Sequence, residues 1–277
     1  MIRRVALPGG ETVPALGQGT WMMGEDRTRR AAEMETLQAG ADAGMTLIDT
    51  AEMYGEGAAE MLVAEALGHR RGELFIVSKV YPQNAGRDRL PQACEASLRR
   101  LGTDRLDLYL LHWRGSVPLS ETVEAMETLR VAGKIRHWGV SNLDAEGMEQ
   151  LLQAGGEACA TDQILYNLAR RGPEHDLLPW LGEHRMTAMA YSPVEQGGLL
   201  RNPALKRIAH RLSATPAQVA LAWILRRPDM IAIPKAGTIA HTLENAGAAE
   251  LELDARTLRM IDEAFPAPTA AQALEML

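Results

Sequence analysis

The run Gly17-Gln18-Gly19-Thr20-Trp21-Met22 ends a short β-type segment, Ala15–Thr20, and opens a loop. In an open, doubly wound sheet that holds a dinucleotide, the first strand leads straight into Gly-x-Gly-x-x-Gly. Here Met22 stands where the third glycine would be, so that loop is missing. Further along, β-type segments recur at Thr46–Asp49, Leu74–Ser78, Leu106–Leu110, Arg136–Val140, Ala160–Gln163, Thr187–Tyr191 and Ile231–Pro234. Helical stretches with apolar residues three or four apart separate them. Ala31, Met34, Leu37 and Ala41 mark the first, and Met61, Ala64, Glu65 and Leu67 the second. Cys94–Leu101, Val123–Ala132 and Pro216–Leu225 continue the series. Eight strands alternating with helices imply an α/β fold, a (β/α)₈ TIM barrel, with the open doubly wound sheet as runner-up.

Punctuation agrees with these boundaries. Thr215-Pro216 sets an N-cap residue before a proline at the first helical position. Gly44, Gly68, Gly102 and Gly133 fall where helices should stop. Val5–Val13, centred on Pro8-Gly9-Gly10, reads as a short β-hairpin, so residues 1–14 cap a single barrel domain spanning 1–277, and 265–277 form a short C-terminal tail.

The composition excludes several classes. The formal net charge is −7, and the Arg pairs (Arg99/Arg100 and Arg170/Arg171 among them) are scattered, reading as solvated helix ends rather than a nucleic-acid face. No uncharged apolar run is long enough to span a bilayer, and Met1–Val5 has no signal-peptide core, so a cytoplasmic protein without a membrane partner is expected. Cys94 and Cys159 lack metal-ligand spacing and are expected to stay reduced and inert. With no heptad seam, the expected state is a monomer.

Active sites of such barrels form at the C-terminal ends of the strands. Strand two delivers Asp49-Thr50-Ala51-Glu52-Met53-Tyr54-Gly55, strand three Ser78-Lys79, and strand four Leu111-His112-Trp113. Taken singly, each has a bland explanation: Asp49 a loop cap, Lys79 a solvated rim lysine, His112 a core histidine. Together they place Asp, Tyr, Lys and His at one mouth. A free tyrosine, with a pKa of about 10, gives up its proton reluctantly. Lys79, held by Asp49, would lower that pKa, so that Tyr54 could protonate a carbonyl oxygen as hydride reaches the carbon. His112 would orient the oxygen as a neutral donor, and no metal is required.

At this point the chain resembles the aldo-keto reductases in their short bacterial form, among them the diketogluconate- and methylglyoxal-reductase-like members. The resemblance runs from Gly17 to Asn245. It is carried by Asp49-Thr50-Ala51-x-x-Tyr54-Gly55, Val77-Ser78-Lys79, Leu111-His112-Trp113, Gly139-Val140-Ser141-Asn142, Ala190-Tyr191-Ser192-Pro193 and Ile233-Pro234-Lys235, in that order. It implies the tetrad Asp49, Tyr54, Lys79 and His112, and NADP(H) lying extended on the mouth. Ser141, Asn142 and Gln163 would hold the nicotinamide carboxamide and Tyr191 would stack on its ring. Gly19, Thr20 and Trp21 would border the cofactor, and Ser192, Pro193 and the backbone from Val194 through Gly197 would meet the pyrophosphate. Lys235, Ala236, Thr238, His241, Glu244 and Asn245 would surround the adenosine 2′-phosphate. The family commonly has Ser at the position of Ala236 and Arg at that of His241. A histidine is charged only part of the time near neutral pH, so a weaker, pH-dependent NADPH preference, with NAD(H) use alongside, is expected.

Trp21, Met22, Tyr81 and Trp113 should line the substrate entrance, with Met23 filling beside Met22 or simply packing. The short tail suggests an open pocket, and Arg114, Arg170 and Arg171 could attract acidic groups or equally be plain surface charges. Small reactive carbonyls, such as dicarbonyls or sugar-derived aldehydes, are the expected substrates. Two other readings stay open: a non-catalytic NADPH-binding accessory or sensor subunit, and an aldolase using Lys79 as a Schiff-base nucleophile.

Overall fold

The computed structural model describes residues 1–277. A two-stranded antiparallel hairpin comes first, β1 (Arg4–Ala6) and β2 (Thr12–Pro14), paired in the register Val5↔Val13. Eight parallel strands follow: β3 (Gln18–Gly19), β4 (Leu47–Asp49), β5 (Phe75–Val80), β6 (Leu106–Leu111), β7 (Ile135–Ser141), β8 (Cys159–Leu165), β9 (Thr187–Tyr191) and β10 (Met230–Ala232). All eight overlap the segments expected from the sequence. They neighbour one another in chain order. The sheet then closes on itself: the Ala232 amide donates to Ala15 O, Gly17 to Ala232 O and Gly19 to Pro234 O. This is a barrel, not an open sheet.

Ten helices run outside or between the strands: α1 (Arg30–Asp42), α2 (Ala58–Leu67), α3 (Arg89–Leu101), α4 (Leu119–Val131), α5 (Ala145–Gln153), α6 (Leu177–Glu183), α7 (Pro203–Arg211), α8 (Pro216–Leu225), α9 (Ile239–Gly247) and α10 (Ala255–Ala264). None is long and apolar enough to cross a membrane. The middle strands are buried along their whole length because helices cover one side and the barrel interior fills the other. The interior is built from Leu47, Phe75, Val77, Leu108, Leu110, Met189 and Ile231, and the hairpin adds Val5, Leu7 and Val13. The hairpin therefore plugs the end where the strands begin.

Local chemistry explains the element ends. Thr215 and Gln218 form a reciprocal capping box at the start of α8. Gly102 ends α3 in the left-handed region, with φ 62°. Gly68 does not stop its helix that way: its φ is −57°, and the chain tightens into 3₁₀ turns over Gly68–Glu73. The face expected of α2 is also corrected. Met61 is 43% exposed, while Glu60 is fully buried because Arg100 and Ser78 pair with its carboxylate. Met23 belongs to the core rather than the mouth. Cys94 and Cys159 are buried free thiols whose pKa burial raises to about 12.

Candidate active site

At the C-terminal rim, β4 ends on Asp49, a 3₁₀ turn begins at Tyr54, β5 carries Lys79, and His112 follows β6 directly. Parallel pairing of β4, β5 and β6 brings these side chains to one place. Lys79 is fully buried, and its Nζ donates to Asp49 Oδ2 at 2.8 Å, to Thr50 O at 2.9 Å and to Tyr54 Oη at 3.1 Å. Every ammonium proton is thus used. Burial alone would lower the Lys79 pKa, but the adjacent Asp49 carboxylate and Tyr54 outweigh it and hold it above the ordinary value.

The expectation for Tyr54 needs correction. Burial pushes its phenol above the ordinary tyrosine value, Lys79 offsets only part of this, and Asp49 adds to the rise. The cause is lost solvation: burial disfavours the phenolate, and the ammonium, itself paired with Asp49 at 2.8 Å, does not make up the difference. Tyr54 therefore rests as a protonated hydroxyl that donates.

His112 sits with its ring centroid 5.8 Å from that of Tyr54 and 4.9 Å from that of Trp113. Burial, and then the charge of Lys79, push its pKa down to about 2, so the ring is neutral. Its Nδ1 is buried without a partner. The site thus combines a neutral imidazole, a protonated phenol and a compensated ammonium, an arrangement suited to donating hydrogen bonds to one oxygen.

Around this centre, Trp21 and Met22 are exposed, and Tyr81 and Trp113 are half-buried in an edge-on pair 6.0 Å apart. Thr20 is buried and spends its hydroxyl on Asp49 O, and Gly19 packs under Ile233 O, where an added Cβ would come within 2.9 Å. Ser141 Oγ donates to Gln163 O at 2.7 Å, while Asn142, at φ 61°, donates to His112 O and Ser141 Oγ. The Tyr191 hydroxyl donates to Asn142 Oδ1 at 2.9 Å. Gln163 Nε2 donates to Asp49 Oδ1 at 2.8 Å, which ties the carboxamide group to the tetrad. Ser192, Glu195, Gln196 and Gly197 all have positive φ, with Pro193 buried and Val194 half-buried between them. Within this loop the amides of Glu195, Gly197 and Gly198 donate to Ser192 O, Val194 O and Glu195 O, closing successive tight turns at the rim. Lys235, Ala236 and Thr238 lead into α9, whose N-cap is Thr238, with His241 and Glu244 on the helix and Asn245 buried at its base. A half-buried lysine, a helix N-terminus and side-chain amides along one rim form a donor set that fits an extended, phosphate-bearing dinucleotide.

Several expectations shift here. Arg170 pairs with Glu195 and Glu275, and Arg171 is only 7% exposed, paired with Glu174 and Asp262, so neither is free to attract substrate. Arg114 is exposed and hydrogen-bonded to Gln150. The tail folds back to the rim: besides Glu275 on Arg170, the Leu277 amide donates to Tyr191 Oη at 3.4 Å. Sequence reasoning passed over Asp162, fully buried beside Gln163 with neither carboxylate oxygen partnered. Burial drives its pKa well above the carboxylate range. The signal available was one acidic residue inside an otherwise uncharged strand, Cys159–Leu165.

A family model described as the aldo/keto reductase family matches residues 15–265. Methylglyoxal reductase YeaE of Escherichia coli (strain K12) is 53% identical over 281 residues, covering 99% of each chain. The crystal structure of an aldo-keto reductase from Klebsiella pneumoniae in complex with NADPH matches with a TM-score of 0.97 and 48% identity, covering 100% of both chains. A putative 2,5-diketo-D-gluconic acid reductase B matches with a TM-score of 0.87 and 31% identity, covering 100% of this chain and 97% of that one. A closed parallel barrel, a rim bearing Asp49, Tyr54, Lys79 and His112, and these matches lead to one conclusion: the chain belongs to the aldo/keto reductase family, a family of oxidoreductases.

Proposed function

We propose that this protein reduces small carbonyl compounds, with short dicarbonyls such as methylglyoxal foremost, using NADPH. The observation that carries the reading is the Tyr54 hydroxyl, 3.1 Å from a buried ammonium that Asp49 holds at 2.8 Å. Bound NADPH supplies the hydride. Everything else belongs to the chain. Tyr54 and neutral His112 donate to the carbonyl oxygen, and Tyr54 gives up its proton as negative charge builds there. Lys79 steadies the phenolate left behind, and Asp49 keeps Lys79 in place. Ser141, Asn142 and Gln163 orient the carboxamide, and Tyr191 offers a ring face at the same depth. Trp21, Met22, Tyr81 and Trp113 make an apolar entrance for a small organic substrate, and the tail at Tyr191 borders it.

The aldolase reading loses support from Lys79 itself. A Schiff-base nucleophile must be an unprotonated amine, whereas this one is raised in pKa and shares all its protons. The accessory-subunit reading is tested by activity. NADPH oxidation should be measured against a panel of aldehydes and dicarbonyls with the wild type and Tyr54→Phe. The wild type should turn over, and the variant should lose roughly 100- to 10,000-fold in kcat while its NADPH affinity holds. Tight NADPH binding with no turnover of any carbonyl would favour a binding subunit instead.

A further inference from the structure

Closure of the barrel sets β3 beside the segment that follows β10, and α1 packs along α9. Both helices begin at the rim where the strands end, so their free N–H groups look into the same space. Arg29 is the residue before α1, and Lys235 lies in the short segment between β10 and α9. A Cβ placed on Gly237 would stand 3.6 Å from Arg29 Nη2 and 3.7 Å from Lys235 Nζ. Two cations thus close on a single glycine. The Lys235 ammonium is half-buried and has neither a hydrogen-bond nor an ion-pair partner; burial and the nearby Arg29 both lower its pKa, with Glu33 opposing. Glu33 is the carboxylate Arg29 reaches, at 3.7 Å from Nε, and its other oxygen is committed to the Gly24 amide at 2.8 Å. One carboxylate at that distance does not neutralise two converging cations, and Arg29 Nη2 faces the glycine rather than Glu33. The cluster is arranged for an anion that bridges both.

We propose that Arg29 grips the adenosine 2′-phosphate of NADPH from the β3–α1 loop, opposite Lys235 and across Gly237, and so determines preference for NADPH over NADH. This rests on the NADPH reading above. It also removes the difficulty raised by His241, whose side chain is exposed and whose amide donates to the Thr238 cap. A guanidinium keeps its charge at every relevant pH and offers a planar fork to two phosphate oxygens. NADH lacks this phosphate, so Arg29 should not affect it.

The test is calorimetric titration of the intact chain with NADPH, NADH, 2′,5′-ADP and 5′-AMP, for the wild type, Arg29→Met, Arg29→Lys and His241→Ala. Arg29→Met should weaken NADPH and 2′,5′-ADP by about 10- to 100-fold, the span of a charge-assisted hydrogen bond. NADH and 5′-AMP should stay within about twofold of wild type, which also shows that the variant is folded. Arg29→Lys should recover part of the loss, and His241→Ala should leave the preference standing. Equal losses for all four ligands, no loss for any, or a loss confined to His241→Ala would overturn the proposal while leaving the cofactor reading intact. A wild type that binds neither dinucleotide would overturn both.

Discussion

Lys79 commits all three of its protons before any substrate arrives, to Asp49, Thr50 and Tyr54. That commitment decides how the rate should depend on pH. In the proposed reaction Tyr54 must carry its proton to act, and its pKa lies above the ordinary tyrosine value. Carbonyl reduction should therefore fall only as pH rises through that high value and the donor is lost. His112, at about 2, is neutral throughout and adds no acid limb. A profile of kcat/KM for reduction should be flat through neutrality and drop at the basic end. A limb with a midpoint near about 6.5, the ordinary histidine value, would show that His112 titrates after all. At this scale the residues of the candidate site were legible in the sequence, because Asp49, Tyr54, Lys79 and His112 each lie just past or at the end of a strand. It did not reveal the sign of the Tyr54 shift, since motif spacing does not say whether a field or a desolvation wins. Arg29 and Asp162 escaped for a related reason. A charged residue looks solvated until its neighbours are known.

At the scale of elements, strands were more legible than helix faces. Runs such as Leu106–Leu111 are buried on both sides and stand out by apolar continuity alone. The buried face of α2 includes Glu60, which no hydrophobic period would select. Its burial is allowed by Arg100 from α3 and Ser78 from β5, so the partners lie 40 and 18 residues away in the chain. Arg100 is correspondingly structural, although it sits in one of the Arg pairs that read as solvated. Arg100→Ala would leave a buried carboxylate without its cation, at a cost of about 3 kcal/mol. Its side chain is 25% exposed, so water can offset part of that, and the figure is set at the lower end of the usual range. Denaturant unfolding would measure the loss, and Arg99→Ala serves as the neighbouring control.

The whole molecule has two ends with different duties. The side chains proposed to be catalytic crowd the rim where strands finish, and the β1–β2 hairpin seals the rim where they start. Leu7, 3% exposed in that seal, should therefore be separable from function. Leu7→Ala should cost about 2–5 kcal/mol in stability, yet kcat of the folded enzyme should match wild type. A large kcat defect in fully folded protein would show that the two ends communicate. The hairpin itself was legible, because Pro8-Gly9-Gly10 marks its turn and apolar residues alternate around it. The reach of the tail to Tyr191 was not, since a contact between residues 86 positions apart leaves no local trace.

The hydrogen bonds that join Ala232 to Ala15, where its amide donates, and to Gly17, where its carbonyl accepts, have a bearing on how the chain is made. A ribosome delivers β3 long before β10 exists, so the growing polypeptide carries an unpaired strand edge through most of its synthesis. During that interval the seam between first and last strands is a place where another nascent chain could insert. Final locking must wait until the eighth strand emerges, and only then do Arg29 and Lys235 meet across the join.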